Sequence, residues 1–349
     1  MPPAKDQMTS LERTRAVVAG KPVDRLPVQP MMMTFAGKYA GIPFGEYCRD
    51  GAKMASAQLK TWQDFGTDIL LTCSDPAREV IDLAGEDSVC WYDDQPPAID
   101  EENAALKDKT ALHRLKKPDL TGDGRMADRV HAIRMLRREA GPGAVVVGWV
   151  EGALALAAEL RGINGLMMDF YDDPDFVDEL LDFCADLAVE YARVQVDAGA
   201  DSIGMSDAAA SLIGPKFYDR HLWSRQMRIL SSIRETGAMS RVHMCGCTDS
   251  LLPRMGELPT DVYEIDFMTD LVKAREVFGL DRTICGNIDT LDTMLHGEVG
   301  GVRDAAASCH ATCGSCHIVA PGCEVAPATP VEHIAVLVDY ARTAISSED

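Results

Sequence analysis

The chain has 349 residues, 46% of them hydrophobic and 26% charged, enough to bury a large core, which excludes a disordered or fibrous protein. Asp plus Glu outnumber Lys plus Arg by 55 to 34, a formal net charge of -21, so the averaged surface field repels phosphate backbones and anionic lipid, and nucleic acid is not an expected partner. The plainer reading of that charge is solubility.

No run approaches the roughly 20 apolar residues of a membrane span, and the segment Met1 to Arg13 lacks the apolar stretch of a secretory signal. A cytoplasmic protein with no membrane contact is therefore expected. Eleven cysteines is an odd number in a chain without an export signal, and thiols held for metal or core packing explain them better than a disulfide framework.

Taken in chain order, short apolar runs read as buried strands at Arg25 to Pro30, Asp68 to Cys73, Ala144 to Val150, Asp201 to Met205, Arg241 to Cys245, Val262 to Asp266, Thr283 to Gly286 and His317 to Pro321. Helical period follows each of them. About eight parallel strands in a chain of this length predict an α/β fold, a single (β/α)8 TIM barrel, whose usual size is roughly 250 residues plus insertions. The surplus is placed at about residues 76–143, where Asp93-Asp94, Pro96-Pro97 and Gly122-Asp-Gly124 interrupt the rhythm, as a decoration near the barrel mouth. The clearest helix is expected from Pro174 to about Ala198, with an aspartate before Pro174 as cap and Val177, Leu180, Leu181 and Cys184 on one face. The tail Ser346 to Asp349 is expected to fray.

In Arg241-Val-His-Met-Cys-Gly246, His243 and Cys245 stand two residues apart at a strand end, where alternate side chains share a face. Cys323, in Ala320-Pro-Gly-Cys-Glu324, follows the last strand on the same barrel face. Two thiolates and an imidazole select zinc over magnesium or calcium, and three protein ligands leave a position for a substrate. A packed strand-end His and Cys is the bland alternative. Cys309, Cys313 and Cys316 have the C-x-x-x-C-x-x-C spacing of an iron-sulfur site, or are packed thiols closing a helix.

The motif His243-x-Cys245 with Gly322-Cys323, together with Pro27-Val-x-Pro30, Phe65-Gly-x-Asp68, Gly148-Trp-Val-Glu-Gly152, Asp207-Ala-Ala-Ala-Ser211 and Gly286-Asn-Ile-Asp289, resembles the uroporphyrinogen decarboxylase superfamily. Within it the chain looks like the corrinoid-dependent methyltransferase branch, that of the methylcobalamin:coenzyme M methyltransferases, from about Leu11 to Ala344. What the resemblance implies is a catalytic Zn2+ on His243, Cys245 and Cys323, with Glu264 as candidate fourth ligand and Asp266 as its neighbour; a structural acid is the alternative for both. It also implies methylcobalamin or another methylated corrinoid as donor, carried on a small corrinoid protein, and a small-molecule thiol or pterin as methyl acceptor.

The decarboxylase pattern itself carries arginines shortly after the first strand, where this chain has Pro30-Met-Met-Met-Thr-Phe-Ala-Gly37. An apolar, Met-rich segment cannot clamp carboxylates, though it could lie against a corrinoid or fill the core. Thr72-Cys-Ser-Asp-Pro76 does resemble the decarboxylase's aspartate segment and maps that residue on Asp75. Asp75 and Asp207 are the candidate catalytic acids, each with loop capping as the alternative. Decarboxylation is the runner-up activity, and a non-catalytic corrinoid-binding module the third reading.

Overall fold

The computed structural model describes residues 6–344; the expected fraying of the tail at 346–349 lies outside them. Its strands are β1 (Leu70–Leu71), β2 (Val89–Cys90), β3 (Ala98–Ile99), β4 (Val146–Glu151), β5 (Ser202–Ser206), β6 (Met239–Met244), β7 (Val262–Ile265), β8 (Thr283–Gly286) and β9 (His317–Ile318). Seven of them form one parallel sheet in the order β1-β4-β5-β6-β7-β8-β9. Every residue of these seven is buried, the pattern of a sheet covered on both faces, which is why the runs read as continuously apolar rather than alternating.

The two edges of this sheet meet through Val28. Its carbonyl accepts from Asp68 N at 2.7 Å, while Val319 N donates to Pro27 O at 2.9 Å and Gln29 N to Val319 O at 3.0 Å. The curled sheet thus closes into a TIM barrel. The expected first strand, Arg25 to Pro30, is a single bridge between Val28 and Val319. Pro27 and Pro30 have no N–H to give a ladder, and the N–H of Val28 goes to the Asp68 carboxylate at 2.9 Å. The same carboxylate takes Arg13 and Arg25, each at 2.6 Å.

Helices cover the outside. The helix Pro174–Asp197 has Asp173 as N-cap, accepting from Phe176 N at 3.4 Å, and buries Val177, Leu180, Leu181 and Cys184. It packs on the helices Ala153–Arg161 and Trp223–Glu235. Truncating a buried leucine such as Leu180 to alanine in such a seam costs about 2–5 kcal/mol. Residues 76–143 contain two α-helices, Ala77–Ala84 and Arg125–Ala140, and between them the antiparallel β2–β3 hairpin and two short 3-10 turns, Glu101–Asn103 and Lys109–Arg114. The second of these helices lies along Gly51–Phe65 and leads into β4, so turn chemistry disrupts the barrel rhythm only before it. No helix among the described residues is long and apolar enough to cross a membrane.

Candidate metal centre

The side chains of His243, Cys245 and Cys323 converge at the C-terminal end of the barrel. His243 Nε2 lies 3.1 Å from Cys245 Sγ and 3.7 Å from Cys323 Sγ, and the two sulfurs are 3.8 Å apart. A tetrahedral zinc, with bonds of about 2.3 Å to sulfur and about 2.0 Å to nitrogen, sets ligand separations of roughly 3.5–3.8 Å. Two edges of the triangle already fit, and the third would open by about 0.4 Å. It is the one group of three or more His, Cys, Asp or Glu ligand atoms close enough to share an ion among the described residues.

Each ligand is fixed from behind. His243 is the fifth residue of β6, and its Nδ1 faces the Glu264 carbonyl at 3.3 Å, which puts the proton on Nδ1 and the lone pair on Nε2. Cys245 directly follows β6, and Gly246 turns the chain there at φ +82°, a conformation disfavoured for side chains with a Cβ. Asp266 holds that turn by accepting from Gly246 N at 2.9 Å and from Met268 N at 2.8 Å. Cys323 comes from a strand that is no neighbour of β6, so its loop must run inward. Gly322 allows it: a Cβ there would stand 2.3 Å from Phe267 N. Glu324 then ties the loop to Thr34, accepting from its N and Oγ1 at 2.7 and 2.6 Å.

Glu264 sits beside the triad rather than in it. Its Oε1 pairs with Arg241 at 2.5 Å, and Arg241 also donates to Gln29. Its Oε2 is buried without a hydrogen-bond partner among the described residues, and Glu264 lines a cavity of about 10 Å³ shared with His243, Cys323 and Met31, room for about one water. An orphaned carboxylate oxygen beside two thiols and an imidazole fits a divalent cation. The protonation chemistry fits as well. Burial pushes His243 down, but the hydrogen bond and charge of Cys323 outweigh it and raise the imidazole to about 9. The Cys245 hydrogen bond and burial push the Cys323 thiol up. An ion entering here displaces protons.

The two candidate catalytic acids lie elsewhere. Asp75 is buried against Arg125, which reaches it at 3.0 and 2.8 Å, and takes Ser74 Oγ at 2.7 Å. Burial pushes its carboxyl up, but the two arginines Arg125 and Arg78 hold it below its usual range. Asp207 has no exposed surface. Its Oδ1 accepts from Leu154 N and Ala155 N at 3.0 and 2.9 Å, its Oδ2 from Gln226 at 2.8 Å, and its N–H donates to His243 O at 2.9 Å. It joins three elements behind the metal ligands. Cys309, Cys313 and Cys316 are all buried and form no ligand group. In the Met-rich segment, Met32 is core, Met31 is half-buried and its carbonyl accepts from Val325 N just past Cys323 at 2.9 Å, and Met33 is half-buried against the core.

A cleft of about 470 Å³ opens at the same mouth, lined by Pro76, Ile99, Ala155, Leu212, Glu151 and Glu159 among others. Nothing in the sequence pattern singled it out. Glu151 is cross-strand partner to Ser206, and Ser206 to His243, so Glu151 and His243 share one face of the sheet two strand spacings apart, roughly 10 Å.

The family profile described as Uroporphyrinogen decarboxylase (URO-D) matches residues 9–344. Among characterised relatives, a methylcobamide:CoM methyltransferase of Methanosarcina barkeri is 26% identical, covering 95% of this chain and 97% of its own. One from Methanosarcina acetivorans is also 26% identical, over 96% and 98%. A uroporphyrinogen decarboxylase of Nostoc sp. is 26% identical, over 93% and 94%. The fold matches that of a solved methyltransferase from Methanosarcina mazei with a TM-score of 0.88 at 24% identity, covering 98% of this chain and 100% of the other. With the profile spanning nearly the whole barrel, the chain belongs to the uroporphyrinogen decarboxylase (URO-D) family.

Proposed function

We propose that the protein moves a methyl group from a methylated corrinoid, carried on a small corrinoid protein, to a thiol or pterin acceptor, with His243, Cys245 and Cys323 holding a zinc ion and Glu264, beside them, as candidate fourth ligand. The observation that carries this reading is the triangle of two sulfurs and one imidazole nitrogen at 3.1, 3.7 and 3.8 Å on the barrel mouth. When bound, zinc keeps an acceptor thiol deprotonated at neutral pH, the form that attacks a methyl carbon on cobalt.

The chain's own residues do the orienting. The Glu264 carbonyl holds the His243 tautomer, Asp266 holds the Cys245 turn, and Thr34 holds Glu324 and with it the Cys323 loop. A site fixed in this way can gain rate by presenting the acceptor in line rather than by moving. Leu212, Met268 and Leu291 stand 64%, 59% and 50% exposed on the loops that follow β5, β7 and β8. They give the mouth apolar surface of the kind a partner covers. The relatives named as methylcobamide:CoM methyltransferases support the donor; the acceptor is left to experiment.

Metal analysis with a methylcobalamin assay tests the proposal. About one zinc per chain is expected, with Cys245→Ala and Cys323→Ala both losing zinc and methyl transfer to every thiol and to tetrahydrofolate while keeping the wild-type circular dichroism. Full transfer by a zinc-free Cys323→Ala protein would overturn it, and so would coproporphyrinogen formation from uroporphyrinogen in place of cobalt–carbon cleavage.

A further inference from the structure

The cleft beside the metal centre holds two acids without an ion-pair partner among the described residues. Three arginines lie near it, each with its own ion-pair partner: Arg125 with Asp75 at 2.8 Å, Arg129 with Glu79 at 3.3 Å and Arg78 with Asp128 at 3.1 Å; the Arg129 charge also pulls on Glu151, though less than burial and Glu79 oppose it. Glu151 and Glu159 have neither an ion pair nor a hydrogen bond among the described residues, although Glu151 is only 6% exposed. The rest of the lining is apolar, with Glu101 at the rim and no Lys, Arg or His.

We propose that this cleft is a recognition site for a small organic cation, an ammonium group on a short apolar chain, and that it selects an aminothiol over an anionic thiol as acceptor. Only the thiol end of that ligand rests on the methyl-transfer reading. A buried carboxylate without a counter-charge is costly. Burial and the Glu79 charge push Glu151 well above the carboxylate range. Burial, Asp75 and Glu79 raise Glu159 to about 7. An entering ammonium favours the ionised form of both and pairs with them as they release their protons, and its alkyl body meets Pro76, Ile99, Ala155 and Leu212. An anion meets two acids and no basic side chain. With Glu151 and His243 on one sheet face roughly 10 Å apart, a short chain can place its ammonium in the cleft and its sulfur at the metal ligands.

Two measurements separate the cleft from the metal reading. In the first, butylammonium, butyramide and butyrate are titrated into the full chain by ligand-observed NMR at about pH 8, above the titration of Glu159. Butylammonium is expected to bind at least about tenfold more tightly than either other probe, and a Glu151→Gln, Glu159→Gln double variant to lose that preference. Equal binding of butyrate or butyramide in the wild type overturns the proposal without recourse to any variant; so does an unchanged preference in a folded double variant. In the second, the cobalt-substituted protein is titrated with 2-aminoethanethiol and 3-mercaptopropionate. The thiolate-to-cobalt absorption is expected to saturate first with the aminothiol. If neither thiol produces the band, the thiol half of the proposal and the methyl-transfer reading fall together, while the first measurement still decides the cation.

Discussion

Arg241 is the residue on which the floor of the metal centre rests. It has 1% exposure, and its guanidinium links Glu264 to Gln29. Replacing it with methionine keeps the volume but leaves Glu264 charged and unpaired in the barrel interior, and breaking a buried pair from one side costs about 3–5 kcal/mol. Arg241→Met is expected to show that loss in urea denaturation, while a double change with Glu264→Leu recovers most of it; equal stability of the single variant and wild type would refute the account. At this scale the sequence was readable where chemistry is local. His243 and Cys245 stand out because strand period puts them on one face, and Cys323 because a glycine precedes it. Glu151 and Glu159 were not readable, since their significance lies in the absence of a partner, and Asp75 meets its partner Arg125 across 50 residues. Asp207 was legible as a strand-end acid, but its three donors come from helices that only the fold brings together.

Among the elements, the loop from β9 to Cys323 is closely held. Gly322 N donates to Ile288 O at 2.8 Å, and its α-carbon faces the backbone at Asp266 and Phe267, where an added Cβ has no flexible side chain to displace. Gly322→Ala must therefore move the loop, and Cys323 with it. The expected result is a folded barrel with normal far-ultraviolet circular dichroism whose zinc content falls by more than half, roughly the effect of misplacing one of three ligands; full zinc occupancy would show that the loop can yield. The strands themselves were legible to within three residues, because a parallel sheet writes its burial as unbroken apolar runs. The exception was Arg25 to Pro30. Its prolines and the Asp68 carboxylate take away the ladder hydrogen bonds that composition cannot count. The helix Arg125–Ala140 was hidden inside the expected decoration because Arg129 and Arg137, polar by type, lie against the barrel and interrupt its apolar stripe.

The whole molecule combines acids of opposite kinds, and its stability should follow pH accordingly. Burial lifts Asp207 to about 6 against the pull of Gln226, Ala155 and Leu154, and lifts Glu159 to about 7. Between their ordinary values of 3.8 and 4.5 and these raised ones, the folded chain holds protons that the unfolded chain releases. Stability therefore falls as pH rises through that window. Asp75 and Asp24 work the other way. Burial pushes both up, yet Arg125 and Arg13 hold them below the usual range, so their contribution is present above the ordinary value and lost as pH drops through the folded one. Maximal stability is expected at about pH 4, where the gain from Asp75 and Asp24 is nearly complete and the loss from Asp207 and Glu159 begins. The formal net charge of -21 adds self-repulsion that also grows with pH, but salt screens that surface term and hardly touches a buried carboxyl. Urea midpoints measured across the same pH range at low and at high salt separate the two contributions. The decline above the maximum should survive high salt in the wild type and flatten in Glu159→Gln. A decline that salt abolishes in both proteins would assign it to the surface and leave the buried acids without a role.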